Sequence, residues 1–169
     1  MILNNAINAG NFVYCMANFS PNESHTYQNI GNGHFHQFLY VVSGRAEETI
    51  EDQDGNVVLF DDSDREGELV DMTELKGTVH KTKTTDTSIS FITFNPVPDT
   101  RQLAVEILKG PSQHTVTAES SRKTIVCITG TIKVNDKELS TLQHAKIFPG
   151  KTVEITMPEN TVCAIVSDK

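Results

Sequence analysis

The shape of the apolar segments limits what this chain can fold into. Runs of 4–10 apolar or β-branched residues recur from end to end, each closed by a turn signal. No stretch repeats apolar residues at the helical period, so no amphipathic helix is expected. The strands expected first are Phe12–Phe19, Phe35–Val42, Arg45–Glu51, Val57–Phe60, Leu69–Met72, Thr78–Thr84 and Ser88–Asn95. Asn22–Gly33 is expected as a loop or edge segment, the acidic Asp61–Glu68 as a loop, and Asp54-Gly55 as a hairpin turn. After a break at Pro96-Val97-Pro98 come Leu103–Leu108, His114–Ala118, Lys123–Ile128, Thr131–Val134, Ala145–Phe148, Val153–Met157 and Thr161–Val166. Many short, evenly spaced strands predict an all-β antiparallel sandwich or barrel.

The pattern occurs twice. Val42-Ser43-Gly44 matches Ile128-Thr129-Gly130, and Lys76-Gly77-Thr78-Val79-His80 matches Pro149-Gly150-Lys151-Thr152-Val153. Two copies of one β unit follow, over residues 1–97 and 98–169.

Composition removes several function classes. The formal charge of −8 repels phosphate backbones, so nucleic-acid binding is not expected. No apolar run reaches the roughly 18–20 residues of a membrane helix. The N-terminus has no basic start followed by a long apolar block, so a cytoplasmic protein is expected. Cys15, Cys127 and Cys163 are odd in number, widely spaced and set in apolar strands, the pattern of reduced core thiols. No P-loop, Rossmann fingerprint or nucleophile elbow is present.

Chemistry concentrates between Gly31 and Gly44. His34 and His36 stand two apart, so in a strand they share a face and converge on a metal, a substrate or nothing. Gln37 adjoins them, and Tyr40 falls on the face of His36 by alternation. His80 stands three residues after Gly77. His34, His36 and His80 together suit Zn, Fe, Mn, Ni or Cu as divalent ions, with Gln37 able to complete the sphere through its amide oxygen. His25, His114 and His144 are expected at surfaces or edges.

At these residues the chain resembles the cupin superfamily, as a small bicupin with an RmlC-like jelly roll. The cupin pattern sets a glycine before an HxH, then a carboxylate and a strand ending in Gly, carried here by Gly33, His34, His36, Gln37 and Gly44. Its second part is carried by Gly77 and His80. The resemblance implies a double-stranded β-helix repeated twice. The chain departs from the pattern in four ways. Gln37 stands where glutamate is usual. The interval from the HxH to Gly44 is short, setting His36 and Gln37 on opposite faces of a regular strand. Leu75 replaces the proline. The second repeat puts Ser120, Arg122 and Val153 where the first has His34, His36 and His80.

Three functions stand. One is a metal-dependent enzyme of dioxygenase or isomerase type acting on a small polar molecule, with the metal on His34, His36, His80 and Gln37. The second is a metal-free isomerase or epimerase acting on a sugar, with a histidine, His80, as general base and Tyr40 or a second histidine as acid. The third is a ligand-binding module without turnover. A homodimer is expected, because compact β units of this kind pair through exposed strands.

Overall fold

A computed structural model describes residues 2–3, 6–29 and 36–169. His34, with Gly31 and Gly33, lies outside the described residues. The chain forms two compact units, Met1–Arg101 and Gln102–Lys169. Apart from a single 3-10 turn at Thr73–Leu75, the described elements are all strands. No helix among them is long and apolar enough to cross a membrane.

The first unit holds β1 (Ile2–Leu3), β2 (Ile7–Asn8), β3 (Phe12–Phe19), β4 (Ser24–Asn29), β5 (Phe38–Glu51), β6 (Val57–Arg65), β7 (Leu69–Asp71), β8 (Thr78–Lys83) and β9 (Ile89–Pro96). They hydrogen-bond in the order β1-β3-β9-β5-β8-β4, with β2 on β3, and β6 and β7 on β5. All pairs are antiparallel.

Strand β5 organises this unit. Residues Phe38–Gly44 pair with β9, and Glu47–Glu51 pair with β8. Two separate strands were expected here, meeting at Gly44. One strand runs through instead, because Gly44 adopts φ 78° beside a register shift between Val41 and Ser43, which bends the ladder without ending it. A side chain cannot replace the glycine, since a Cβ would lie 1.8 Å from the Ser88 carbonyl oxygen. The shift also changes the parity of the inward face. Leu39 and Val41 point into the same core as Ala46, together with Phe19, Met72, Ile89 and Phe91.

One segment expected as a loop is a strand, and the segment expected as a loop or edge is an edge strand. Residues Asp61–Arg65 extend β6, and Ser24–Asn29 form β4 against β8. In both cases a partner strand satisfies the backbone groups, which outweighs the polar composition that read as loop.

The second unit holds β10 (Leu103–Lys109), β11 (Ser112–Ala118), β12 (Lys123–Thr129), β13 (Thr131–Val134), β14 (Lys137–Ser140), β15 (His144–Ile147), β16 (Lys151–Met157) and β17 (Val162–Asp168). Two four-stranded sheets, β10-β17-β12-β15 and β11-β16-β13-β14, enclose a core of Val116, Ile125, Cys127, Ile132, Ile147, Ile155, Met157, Cys163 and Ile165.

The repeat is plain in this topology. The first unit contains the same two rows, β3-β9-β5-β7 and β4-β8-β5-β6, with β5 serving as both β12 and β13. Backbone bonds fix the correspondence residue by residue. Gly67 N–H donates to the Val41 carbonyl as Leu142 N–H donates to Cys127, and Gly77 donates to Asn29 as Gly150 donates to Ala118. Val41 therefore matches Cys127, Gly44 matches Gly130 and His80 matches Val153. Gly44, Gly77, Gly130 and Gly150 all have positive φ, between 77° and 88°.

Candidate functional site

Three strands converge on His80. It lies opposite Tyr27 of β4 and opposite Ile50 of β5, two residues along from Glu48. Strand alternation sends Thr78, His80 and Thr82 inward and leaves Lys81 and Lys83 exposed. Ala46, Glu48 and Ile50 form the inward face of β5 by the same rule. The His80 ring is 0% exposed and Glu48 is 7% exposed.

The hydrogen bonds of this cluster define its protons. His80 Nδ1 lies 2.7 Å from Glu48 Oε1, and Nε2 lies 2.9 Å from Thr78 Oγ1. The Thr78 hydroxyl donates to the Leu75 carbonyl at 2.6 Å. A carbonyl cannot donate, and a hydroxyl has one proton, so the contact with Nε2 must be a donation from the imidazole to Thr78. His80 is thus protonated at Nε2, and one further proton lies between Nδ1 and Oε1. Carboxylate, imidazole and hydroxyl stand in the order of a nucleophilic triad, but the Thr78 proton is directed at Leu75 rather than at the histidine.

Aromatic rings flank the pair. Tyr27 stacks on His80 with centroids 4.9 Å apart and planes at 20°, and meets His36 edge-on at 5.2 Å. His25, half-buried on β4, stacks on Tyr27 with centroids 6.3 Å apart. The His36 backbone N–H donates to Asn29 Oδ1 at 2.8 Å, and its ring Nδ1 lies 2.8 Å from Asn95 Oδ1.

Each predicted residue can now be placed. His36 and His80 are brought to one cluster around Tyr27. His36 precedes the first residue of β5, so alternation along that strand does not carry from Tyr40 to it. Tyr40 alternates with Leu39 and Val41 and stands on the face of β5 opposite theirs, paired with Ile92 and Leu69. The structure therefore does not bring it to His80. Burial and the Glu66 carboxylate push the Tyr40 phenol above its ordinary range. Gln37 is 1% exposed, and its amide nitrogen donates to Thr73 Oγ1 at 3.2 Å. Its main chain bridges Phe94 and Met72.

The expected metal set is brought together in part: His36 and His80 share the cluster around Tyr27, Gln37 directs its amide nitrogen to Thr73, and His34 lies outside the described residues. In this arrangement the two ring nitrogens of His80 face Glu48 and Thr78. Among the described residues no group of three or more His, Cys, Asp or Glu side chains is arranged to hold a metal ion.

Sequence reasoning missed Glu48, Tyr27 and Thr78 as members of the cluster. A signal for Glu48 was present, since it interrupts the inward stripe Ala46, Glu48, Ile50 with an acid. Tyr27 was hidden in a polar stretch read as a loop or edge segment.

The remaining residues of interest are structural. Cys127 and Cys163 are buried cross-strand neighbours, and burial pushes their thiols up to about 11 and about 12. His114 meets Ser112 Oγ at 2.9 Å on β11. Burial, with Lys146 and Arg122 nearby, holds His144 below the ordinary imidazole range.

No protein-family model and no curated sequence matches the chain. Solved structures do match it. A single-residue mutant of Bacillus subtilis oxalate decarboxylase superposes with TM-score 0.65 at 8% identity, covering 95% of this chain and 69% of that one. The Lactobacillus farciminis oxalate decarboxylase formate complex gives 0.61 at 9%, covering 94% and 76%. A further Bacillus subtilis structure, described by its Mn(II) centres, gives 0.61 at 8%, covering 95% and 69%. At such identity the likeness is one of fold. Oxalate decarboxylases are bicupins, and the repeated antiparallel β-sandwich described above is therefore a cupin fold.

Proposed function

We propose that the first unit is the active unit of a cupin enzyme that moves a proton on a small polar molecule, with His80 carrying the proton and Glu48 orienting the ring. One observation carries this reading. In the second unit the positions matching Tyr27, Glu48, His80 and Thr82 are Val116, Val134, Val153 and Ile155, all packed in or against its apolar core. The same strand topology is thus satisfied by four aliphatic side chains. A buried carboxylate–imidazole pair is costly to desolvate and is no better for stability than such residues. Its presence at the matching place in the first unit supports reading it as a site rather than a fold requirement.

Charge supports one ligand class. Lys81 and Lys83 point away from the cluster, and Arg45 pairs with Asp86 at the surface. None of these offers a counter-charge to a carboxylate or phosphate, which favours an uncharged ligand such as a sugar. Acid–base chemistry next to a carbonyl, as in isomerisation, suits one buried imidazole.

The test is solvent-deuterium incorporation. The full chain is incubated in D2O with a panel of unphosphorylated aldoses and ketoses, and C–H signals are followed by proton NMR. Exchange indifferent to chelator, and reduced about 10²-fold or more in His80→Gln, is the expected result. The metal-dependent reading draws on the Mn(II) centres named for a structural neighbour. One equivalent of transition metal in the purified protein, lost in His80→Gln, would replace the proposal with it. Saturable binding without exchange would make the unit a ligand-binding module.

A further inference from the structure

The second unit sets two cysteines opposite each other, Cys127 on β12 and Cys163 on β17. In an antiparallel sheet a residue turns its N–H and C=O to the same neighbouring strand, so opposed residues share both ladder bonds or neither. The Cys127 N–H donates to the Gln143 carbonyl, and its carbonyl accepts from Leu142 N–H, both on the β15 side. At the two ends of β17, Thr161 and Lys169 bond to Gly110 and Gln102 on the β10 side, and alternation by two turns Cys163 the same way, toward Leu108. The two cysteine backbones therefore face away from each other, and theirs is a pair without ladder bonds. Such pairs bring their Cα atoms to about 4.5 Å, within the range of about 4.4–6.8 Å that a disulfide spans. Both side chains enter the same core with 0% exposure. Cys127 Sγ meets the Thr129 and Gly130 carbonyls at 3.8 and 3.4 Å, and Cys163 Sγ lies 3.8 Å from Met157 Sδ. A thiol is a weak donor, so these contacts hold neither sulfur strongly. We propose that Cys127 and Cys163 are a redox pair, which a small-molecule disulfide of the glutathione type oxidises to a cross-strand disulfide between β12 and β17. The inference does not depend on the reading of His80.

The exchange runs in two steps. One cysteine, as thiolate, attacks a sulfur of the oxidant, whose S–S bond breaks. One thiolate leaves, and a mixed disulfide forms on the protein. The other cysteine then attacks its partner's sulfur, the mixed bond breaks, and the second thiolate leaves. The two protons given up by the cysteines go to the two leaving thiolates, and two electrons pass from the pair to the oxidant. The reverse exchange restores both thiols. Because both sulfurs are buried, it proceeds only as fast as β12 and β17 part locally. The new bond closes the chain from Cys127 to Cys163, around β13, β14, β15 and β16, and so restricts the unfolded chain more than the folded one.

The test is an equilibrium one, so slow access to the sulfurs does not obscure it. Cys15→Ser, in the full chain, leaves Cys127 and Cys163 as its cysteines. The reduced variant is refolded from urea into buffers of graded reduced and oxidised glutathione, and a parallel series is kept in denaturing urea. After acid quench, mass spectrometry reads the loss of two hydrogens and the peptide that joins Cys127 to Cys163. A fold that holds the two thiols together favours their disulfide by the factor by which the disulfide favours the fold. The refolded chain should therefore be half oxidised at about a tenfold or more lower level of oxidised glutathione than the chain in urea. The oxidised form should also unfold at higher urea than the reduced form. The wild type, read by the same joined peptide, covers the case in which Cys15→Ser does not fold. Equal midpoints with and without urea would overturn the proposal. So would glutathione adducts that never close to the joined peptide, or an oxidised chain that cannot fold.

Discussion

Glu48 and His80 lie 2.7 Å apart with almost no water contact, so truncating one removes a close hydrogen-bond partner of the other inside the core. Glu48→Val is expected to destabilise the chain by about 3–5 kcal/mol in urea unfolding. The glycines separate two costs. Gly44→Ala meets both a positive φ and the Ser88 carbonyl, whereas Gly77→Ala, at φ 88°, meets nothing within 4 Å. The second change should cost about 1–2 kcal/mol, and the first clearly more, by the same measurement. Thiol reactivity is also set residue by residue. At pH 8 only about one Cys127 thiol in a thousand is ionised, given its shift to about 11. Thiol titration of the native protein should therefore leave Cys127 and Cys163 unmodified, and denaturant should expose all three cysteines. Both folded values lie above the ordinary 9.0, so the unfolded chain loses these protons first. Their contribution to stability is full below about pH 9 and declines as pH rises beyond it.

At the scale of strands, the two units are each other's control. β4, β5 and β8 carry Tyr27, Glu48 and His80 where β11, β13 and β16 carry Val116, Val134 and Val153. The triple variant Tyr27→Val, Glu48→Val, His80→Val should stay folded. It should lose less stability than the sum of its single changes, because the charged groups leave together. Urea unfolding of the singles and the triple gives the coupling directly. A triple variant that unfolds would show that the polar cluster holds the strands together, and would remove the main support for a functional site. This scale also explains what was legible beforehand. The turn at Asp54-Gly55, the glycines at 44, 77, 130 and 150, and most strand positions follow from local residue preferences. The continuity of β5, the pairing of β4 and the extension of β6 over Asp61–Arg65 do not, because a partner strand decides them.

Across the whole molecule, 22 carboxylates face 14 basic residues, for a net charge of −8. Self-repulsion of this size is screened by salt. The melting temperature should rise between about 10 mM and 150 mM NaCl, where the Debye length falls from about 30 Å to 8 Å. A fall would mean that favourable ion pairs such as Lys81–Glu51, at 2.7 Å, outweigh the net repulsion.

The all-β class and the twofold repeat were determined by the sequence itself, since short apolar runs between turn residues permit little else, and matching glycines mark matching turns. The histidines were also visible there, as residue types with a spacing. Only the tertiary structure decided what they touch. A one-residue shift at Val41–Ser43 sets which face of β5 is inward, placing Glu48 beside His80 and Tyr40 on the opposite face from Leu39 and Val41. Strand periodicity is two, so one bulge reverses every assignment beyond it, and no local preference reveals where the bulge falls. The proton on His80 was likewise beyond the sequence, because it depends on a carbonyl, Leu75, that only the folded chain brings to Thr78.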